Sequence, residues 1–311
     1  MKLGAFVVTA AVAATSLLGA GCSRNRQEAV ILANKGDQEL KMNVEGAIAD
    51  YDQATRMDPT NHRIFFKLAM AYKKKEDWDK VASTLARATQ LAPKFANYWL
   101  ERGYALEQQA RKKTVQWEEV KDPLQKCIQN DPNYAECYEL LGDAFLWTDD
   151  EQKALENYNK AVEHDPNNIS DYTMLAGLYL DLGYTKEAEQ VLKEAKGFVK
   201  PGAMDKAHLQ AVYNLHVLLA KVYQERDSLA EAVPELEAAK ASAPVDGPEA
   251  VLILWNLGST YASMKPPKSA QAITMLKGFS GRACKGSKAA TYKTECEQAQ
   301  SLVSRLGGTL Q

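Results

Sequence analysis

The side chains best suited to covalent chemistry in this 311-residue chain are five cysteines. Cys22 stands alone after Gly19-Ala20-Gly21, while Cys127, Cys137, Cys284 and Cys296 form an even set. Four cysteines allow three pairings, and an even count in an exported chain favours disulfides. Cys284 with Cys296 is the preferred bridge, closing a short loop and stabilising the fold by roughly 3 kcal/mol. Cys127 with Cys137 is the second, with a buried free thiol at Cys127 as the alternative. Zinc is not expected, because no CxxC pair exists. His62, His164, His208 and His216 are scattered, with no HExxH, and no GxSxG, GxGxxG or GxxxxGK[ST] occurs. Acidic runs such as Asp149-Asp150-Glu151 read as solvated turns. Lys73-Lys74-Lys75 and Arg111-Lys112-Lys113 fall at helix C-terminal ends, where cations suit the dipole. The residues therefore point to no enzyme, no cofactor, no metal and no small-molecule substrate.

The N-terminus carries its own signal. Lys2 is followed by an apolar run from Leu3 to Leu18 and then small residues up to Cys22. A positive start, an apolar core and a small-residue cut site make a secretory signal over 1–21. The cysteine directly after it resembles the lipobox of bacterial lipoproteins, although Gly19 stands where Leu is usual. That resemblance implies a lipidated Cys22 as the first mature residue, with a diacylglycerol and an amide-linked acyl chain. Ser23 in place of Asp implies outer-membrane destination, and residues 22–28 read as a tether. More than one acyl chain anchors stably, each buried methylene contributing about 0.8 kcal/mol. With 38 basic and 40 acidic residues the net charge is −2, without the excess of cations of a nucleic-acid binder.

What must position any site is a repeat. From Tyr138 the chain reads Tyr138-x2-Leu141-Gly142-x2-Phe145, then Ala154-x3-Tyr158-x2-Ala161-x4-Pro166. Small Gly142 and Ala154 let two helices approach, and the aromatic and leucine positions fill the seam at helical spacing. Pro166 disfavours helix in the residue before it. The pattern resembles the tetratricopeptide repeat. The same frame recurs with Phe65, Leu68, Ala69 and Tyr72; with Trp99, Gly103 and Leu106; with Tyr172, Leu175, Ala176 and Tyr179; with Leu219, Ala220 and Tyr223; and with Leu257, Gly258 and Tyr261. Ala47, Tyr51, Ala54 and Pro59 mark the second helix of a degraded first unit. The resemblance implies an all-α, right-handed superhelical solenoid of about seven helix hairpins over 29–280. A polar, periodic C-terminal cap helix over 281–311 would hide the last apolar face.

The frame has breaks. Pro93 to Pro132 exceeds the 34-residue period by five, around Gln108 to Trp117, which implies a longer helix or a projecting loop. A second break at Gly197 to Lys206 reads either as a kink between two arms or as a tolerated insertion. Met264-Lys265-Pro266-Pro267 reads as a long turn between hairpin helices.

In tetratricopeptide proteins the first helix of each hairpin lines a concave groove. By that resemblance the groove residues are Phe66, Met70, Leu100, Tyr104, Glu139, Asp143, Val217 and Trp255, with Trp147 on the same face. The Lys and Asn pattern that clamps a C-terminal carboxylate is absent. An apolar, aromatic groove suits an amphipathic helix or extended segment of a protein partner. The expected function is a lipid-anchored periplasmic scaffold that helps assemble an outer-membrane complex such as a pilus or motility machine. The alternative is an adaptor for cell-wall hydrolases or synthases.

Overall fold

The computed structural model describes residues 24–199, 202, 205–244 and 247–310. The expected signal, Cys22 and the lipid site lie outside the described residues. Sixteen helices and no strand occur among those described. Helix α1 (residues 24–39) already includes 24–28, so most of the stretch expected as a tether is helical, with an Arg24–Glu28 ion pair at 2.8 Å. Then follow α2 (Val44–Met57), α3 (His62–Lys74), α4 (Trp78–Leu91), α5 (Ala96–Arg111), α6 (Glu118–Asn130), α7 (Ala135–Leu146) and α8 (Glu151–His164). The chain continues with α9 (Ile169–Asp181), α10 (Thr185–Lys196), α11 (Lys206–Glu225), α12 (Leu229–Ser242), α13 (Glu249–Ser263) and α14 (Ser269–Ala283). These fourteen alternate as first and second helices of seven pairs. Two compact units divide within α8, between Asn157 and Tyr158.

Two turn devices recur. Where a first helix gives way to a second, one residue takes a left-handed conformation: Glu76, Asp149, Gly183 and Asp227, with φ from 55° to 82°. The amide after each reaches back to a carbonyl five residues earlier, as in Asp77 to Tyr72 and Ser228 to Tyr223, which closes the helix end in a Schellman turn. Where a second helix gives way to the next pair, an aspartate precedes proline. Asp58, Asp131 and Asp165 each accept a backbone N–H two residues on, from Thr60, Asn133 and Asn167. Such Asx turns hold the chain bent without help from the core.

Packing in the first unit proceeds pair by pair. Tyr51, Ala54, Ile64 and Leu68 join α1, α2 and α3, and Val81, Leu85, Ala88 and Ala105 join α3, α4 and α5. Close approach is enforced by glycine. A Cβ on Gly103 would fall 2.8 Å from Leu124 Cγ, and one on Gly258 in the second unit 2.7 Å from Leu276 Cγ. The structure joins Cys127 to Cys137, linking α6 to α7, and Cys284 to Cys296.

The extra residues near Gln108 lengthen α5 to 16 residues and add a turn at 112–117. That longer helix carries charge into the seam. The Arg111 guanidinium sits 2.6 Å from Glu107 Oε1 and 2.9 Å from Asp143 Oδ2 on α7, and both carboxylates are buried. Burial pushes the Glu107 carboxyl above its usual range, and Arg111 opposes that shift.

In the second unit the break at Gly197–Lys206 does not separate two arms, because α9 and α10 both pack on α11. Leu192, Leu215, Leu219 and Leu236 form one core there. The expected single cap helix is two pieces, α15 (Lys288–Thr291) and α16 (Lys293–Arg305), divided at Tyr292. Tyr292 turns out of helical geometry and packs edge-on against Phe279, 6.1 Å between centroids. Ala299 and Val303 of α16 then cover α13 and α14.

Gly103→Leu should destabilise the protein by about 1–3 kcal/mol through overpacking against Leu124, read as a lower melting temperature by circular dichroism. Cys284→Ser with Cys296→Ser should cost about 3 kcal/mol, and an unchanged urea midpoint would deny the bridge a stabilising role. Arg111→Ala should cost about 1–2 kcal/mol at neutral pH, because it leaves two buried carboxylates without that guanidinium, whose own exposure screens the pairing. Glu107 then binds its proton more tightly folded than unfolded. The deficit should therefore shrink as pH falls toward about 5, and an equal deficit at both pH values in urea unfolding would refute this account.

Candidate functional site

The first helices of three consecutive pairs in the first unit converge on one cavity. Lys73 comes from the last turn of α3, Leu100, Glu101 and Tyr104 from α5, and Glu136, Glu139 and Leu140 from α7. Leu100 and Tyr104 are four apart, as are Glu136 and Leu140, so each pair shares one helix face. The cavity holds about 220 Å³. Its floor is apolar, with Leu100, Tyr104 and Leu140 all half-buried.

The rim is charged and unequal. Lys73 Nζ lies 2.6 Å from Glu101 Oε2 and 4.6 Å from the centroid of the Tyr104 ring. The ammonium thus combines a charge-assisted hydrogen bond with a cation–π contact. Trp78 packs edge-on against the same tyrosine, at 5.5 Å, and fixes its ring plane. Glu101, Glu136 and Glu139 together outnumber the one lysine. The imbalance is felt nearby. The Tyr134 hydroxyl, hydrogen-bonded to Asn97 at 3.2 Å, is held above the usual phenol range by burial and then by the charges of Glu136, Glu101 and Asp131.

Of the residues expected in a groove, Leu100, Tyr104 and Glu139 line this cavity. The others are placed differently. Phe66 stacks on Tyr98, 4.6 Å between centroids, and Met70 packs against the α3–α5 core. Asp143 is buried and paired with Arg111. Trp147 ends α7 and lies in the turn, 58% exposed and stacked on Trp117 at 5.3 Å. In the second unit Val217 packs against the core of that unit. Trp255 leans on Phe279 and faces Gln298, Ser301 and Leu302 of α16, across a cavity of about 280 Å³. The C-terminal helix therefore covers that part of the α13 face. Sequence reasoning missed Lys73, Glu101, Glu136 and Leu140 as members of the site. The available signal was helical spacing, since Glu101 is three before Tyr104, and Glu136 is three before Glu139 and four before Leu140.

Among the described residues no group of three or more His, Cys, Asp or Glu is arranged to hold a metal. No described helix is long and apolar enough to cross a membrane.

Comparison with known proteins bears on the fold. Residues 138–244 match the family model described as the Tetratricopeptide repeat protein 21 forth ARM domain. Over 155 residues the chain is 29% identical to superkiller complex protein 3 of Homo sapiens, covering 47% of this chain and 9% of that protein. The chain thus spans under a tenth of the length of that relative. Among solved structures it is similar to the C-terminal part of a TPR repeat-containing protein from Cytophaga hutchinsonii, with a TM-score of 0.62 and 14% identity over 83% of this chain and 98% of that one. It is also similar to PilW, described as a widely conserved type IV pilus biogenesis factor, with a TM-score of 0.55 and 16% identity over 73% of this chain and 98% of that one. Seven helix pairs, the recurrent turns and these likenesses together make the fold a helical repeat of the tetratricopeptide type.

Proposed function

We propose that this protein is a non-enzymatic scaffold that holds a segment of another protein across the first helices of its N-terminal unit. The single observation that carries the reading is the cavity at Leu100, Tyr104 and Leu140. An apolar floor with a charged rim, built on three rigid helices, suits one anchoring side chain of a bound segment. The rest of the repeat frame is structural, with its aromatic and leucine positions buried in the cores of the two units.

The cellular setting belongs to the same proposal. The signal over 1–21 and Cys22 support a lipid anchor, and Ser23 supports the outer membrane, with the repeats facing the periplasm. Pilus or motility assembly is the narrower form of the reading. Its support is architectural, since the likeness to PilW is one of fold and the role stated for PilW is that protein's own.

Two measurements test it. Cys22→Ala should move the protein from the membrane to the soluble fraction, and unchanged sedimentation would refute lipid anchoring. A photo-crosslinking residue at Leu100 should trap a discrete partner that one placed at Lys126 on α6 does not. Secretin or barrel subunits would support assembly, and murein hydrolases or synthases would favour the adaptor alternative. Equal crosslinking at both positions would remove the groove from the proposal.

A further inference from the structure

We infer that the α3–α5–α7 cavity is selective for cations: it takes a Lys or Arg side chain, with an apolar neighbour, from the bound segment. This rests on the scaffold reading and adds the chemistry of the partner. The structure already contains the recognition geometry, made with one of the chain's own residues. The Lys73 ammonium lies over the Tyr104 ring and on the Glu101 carboxylate. The same ring face and carboxylate would serve a ligand cation that takes the place of Lys73.

The charge balance decides the sign of the ligand. Glu101 and Glu136 line the cavity against one ammonium, and that ammonium is already engaged by Glu101. The negative field extends to Tyr134, whose phenol is raised in part by Glu136 and Glu101. An acidic segment would meet repulsion from both helices and would have to strip Lys73 from its partner. A basic segment meets the reverse. Its cation can take the Tyr104 face as Lys73 swings aside, or it can sit toward Glu136 on α7. In either case the apolar neighbour reaches Leu100 and Leu140. Lys73 then acts as an internal competitor for the site.

That role leads to a test in which removing a positive charge strengthens binding of a positive ligand. The probes are two fluorescent 12-residue peptides with the same leucine positions, one carrying lysine and the other glutamate at the remaining sites. Fluorescence anisotropy with the purified protein should show the lysine peptide bound about tenfold more tightly than the glutamate peptide. Lys73→Met should tighten the lysine peptide by about threefold, and Glu136→Gln should weaken it by a similar factor. Lys73→Gln serves as the second variant if Lys73→Met fails to fold, as judged by circular dichroism. Glu187→Gln, an exposed acid on α10, should change nothing. Weaker lysine-peptide binding by Lys73→Met and Lys73→Gln would overturn the inference, because Lys73 would then be supporting the bound segment rather than competing with it. Tyr104→Ala separates the two levels of the argument. If it abolishes binding of both peptides without charge preference, the groove docks segments but cation selectivity is wrong. If binding ignores Tyr104, or neither peptide binds, the groove reading itself fails.

Discussion

Each helix pair in this protein has an apolar face that it cannot bury alone and that a neighbouring element, usually the next pair, must cover. The two helices of a pair must also lie close enough to present that face as one surface, which is why small residues recur at their crossings. Gly103 lies against Leu124 and Gly258 against Leu276, at separations that leave no room for a methyl group. Larger residues there would push the helices apart and open the seams on both sides. The apolar core follows the chain along each unit, with Tyr51 and Leu85 fully buried in successive clusters of the first unit and Leu192 and Leu236 in one larger core of the second. Stability of such an array is approximately a sum of local and nearest-neighbour terms. The C-terminal end shows the consequence, since α16 contributes Ala299 and Val303 to an otherwise uncovered face.

The same constraint frees other positions. Turns are closed by local hydrogen bonds, through Schellman geometry at one end of the pairs and Asx turns at the other. Neither depends on the side chains that face the groove. The first helices can thus vary on their outward face, and in the N-terminal unit they place Leu100, Tyr104 and Leu140 beside an excess of carboxylates. In the second unit the equivalent stretch of α13 is occupied by α16.

Charge buried in the seams follows a different logic from charge on the rim. The exposed Arg111 side chain reaches in to Glu107 and Asp143, whose carboxylates are the buried members of the group. His216 and Lys196 similarly share Glu235, at 2.6 Å each, in the second unit. There the partners outweigh burial, and Glu235 stays below the usual carboxylate range. Such pairs fix how neighbouring helices meet more than they add to net stability. On the rim, Lys73 and Glu101 remain partly solvated, which leaves them able to exchange partners.

The helix pairs, their period and their order were legible in the residues alone. Periodicity of Tyr, Leu, Ala and Gly is a local property, and proline and aspartate at the pair junctions act through their own backbone. The lengthened hairpin near Gln108 was visible for the same reason, as a departure from the period. The sequence also singled out Leu100, Tyr104 and Glu139, because their place in the repeat sets their helix face. The tertiary structure decided what those faces meet. Asp143 holds the groove position of its repeat, yet it turns to Arg111, a partner 32 residues away. Trp147 follows the helix and falls in the turn beside Trp117, and Trp255 is met by a helix that lies outside the repeat frame. Lys73 reads as an ordinary C-terminal cation until α5 brings Glu101 and Tyr104 against it. A side chain's partner depends on which other helix arrives in space, and that information is absent from any local pattern.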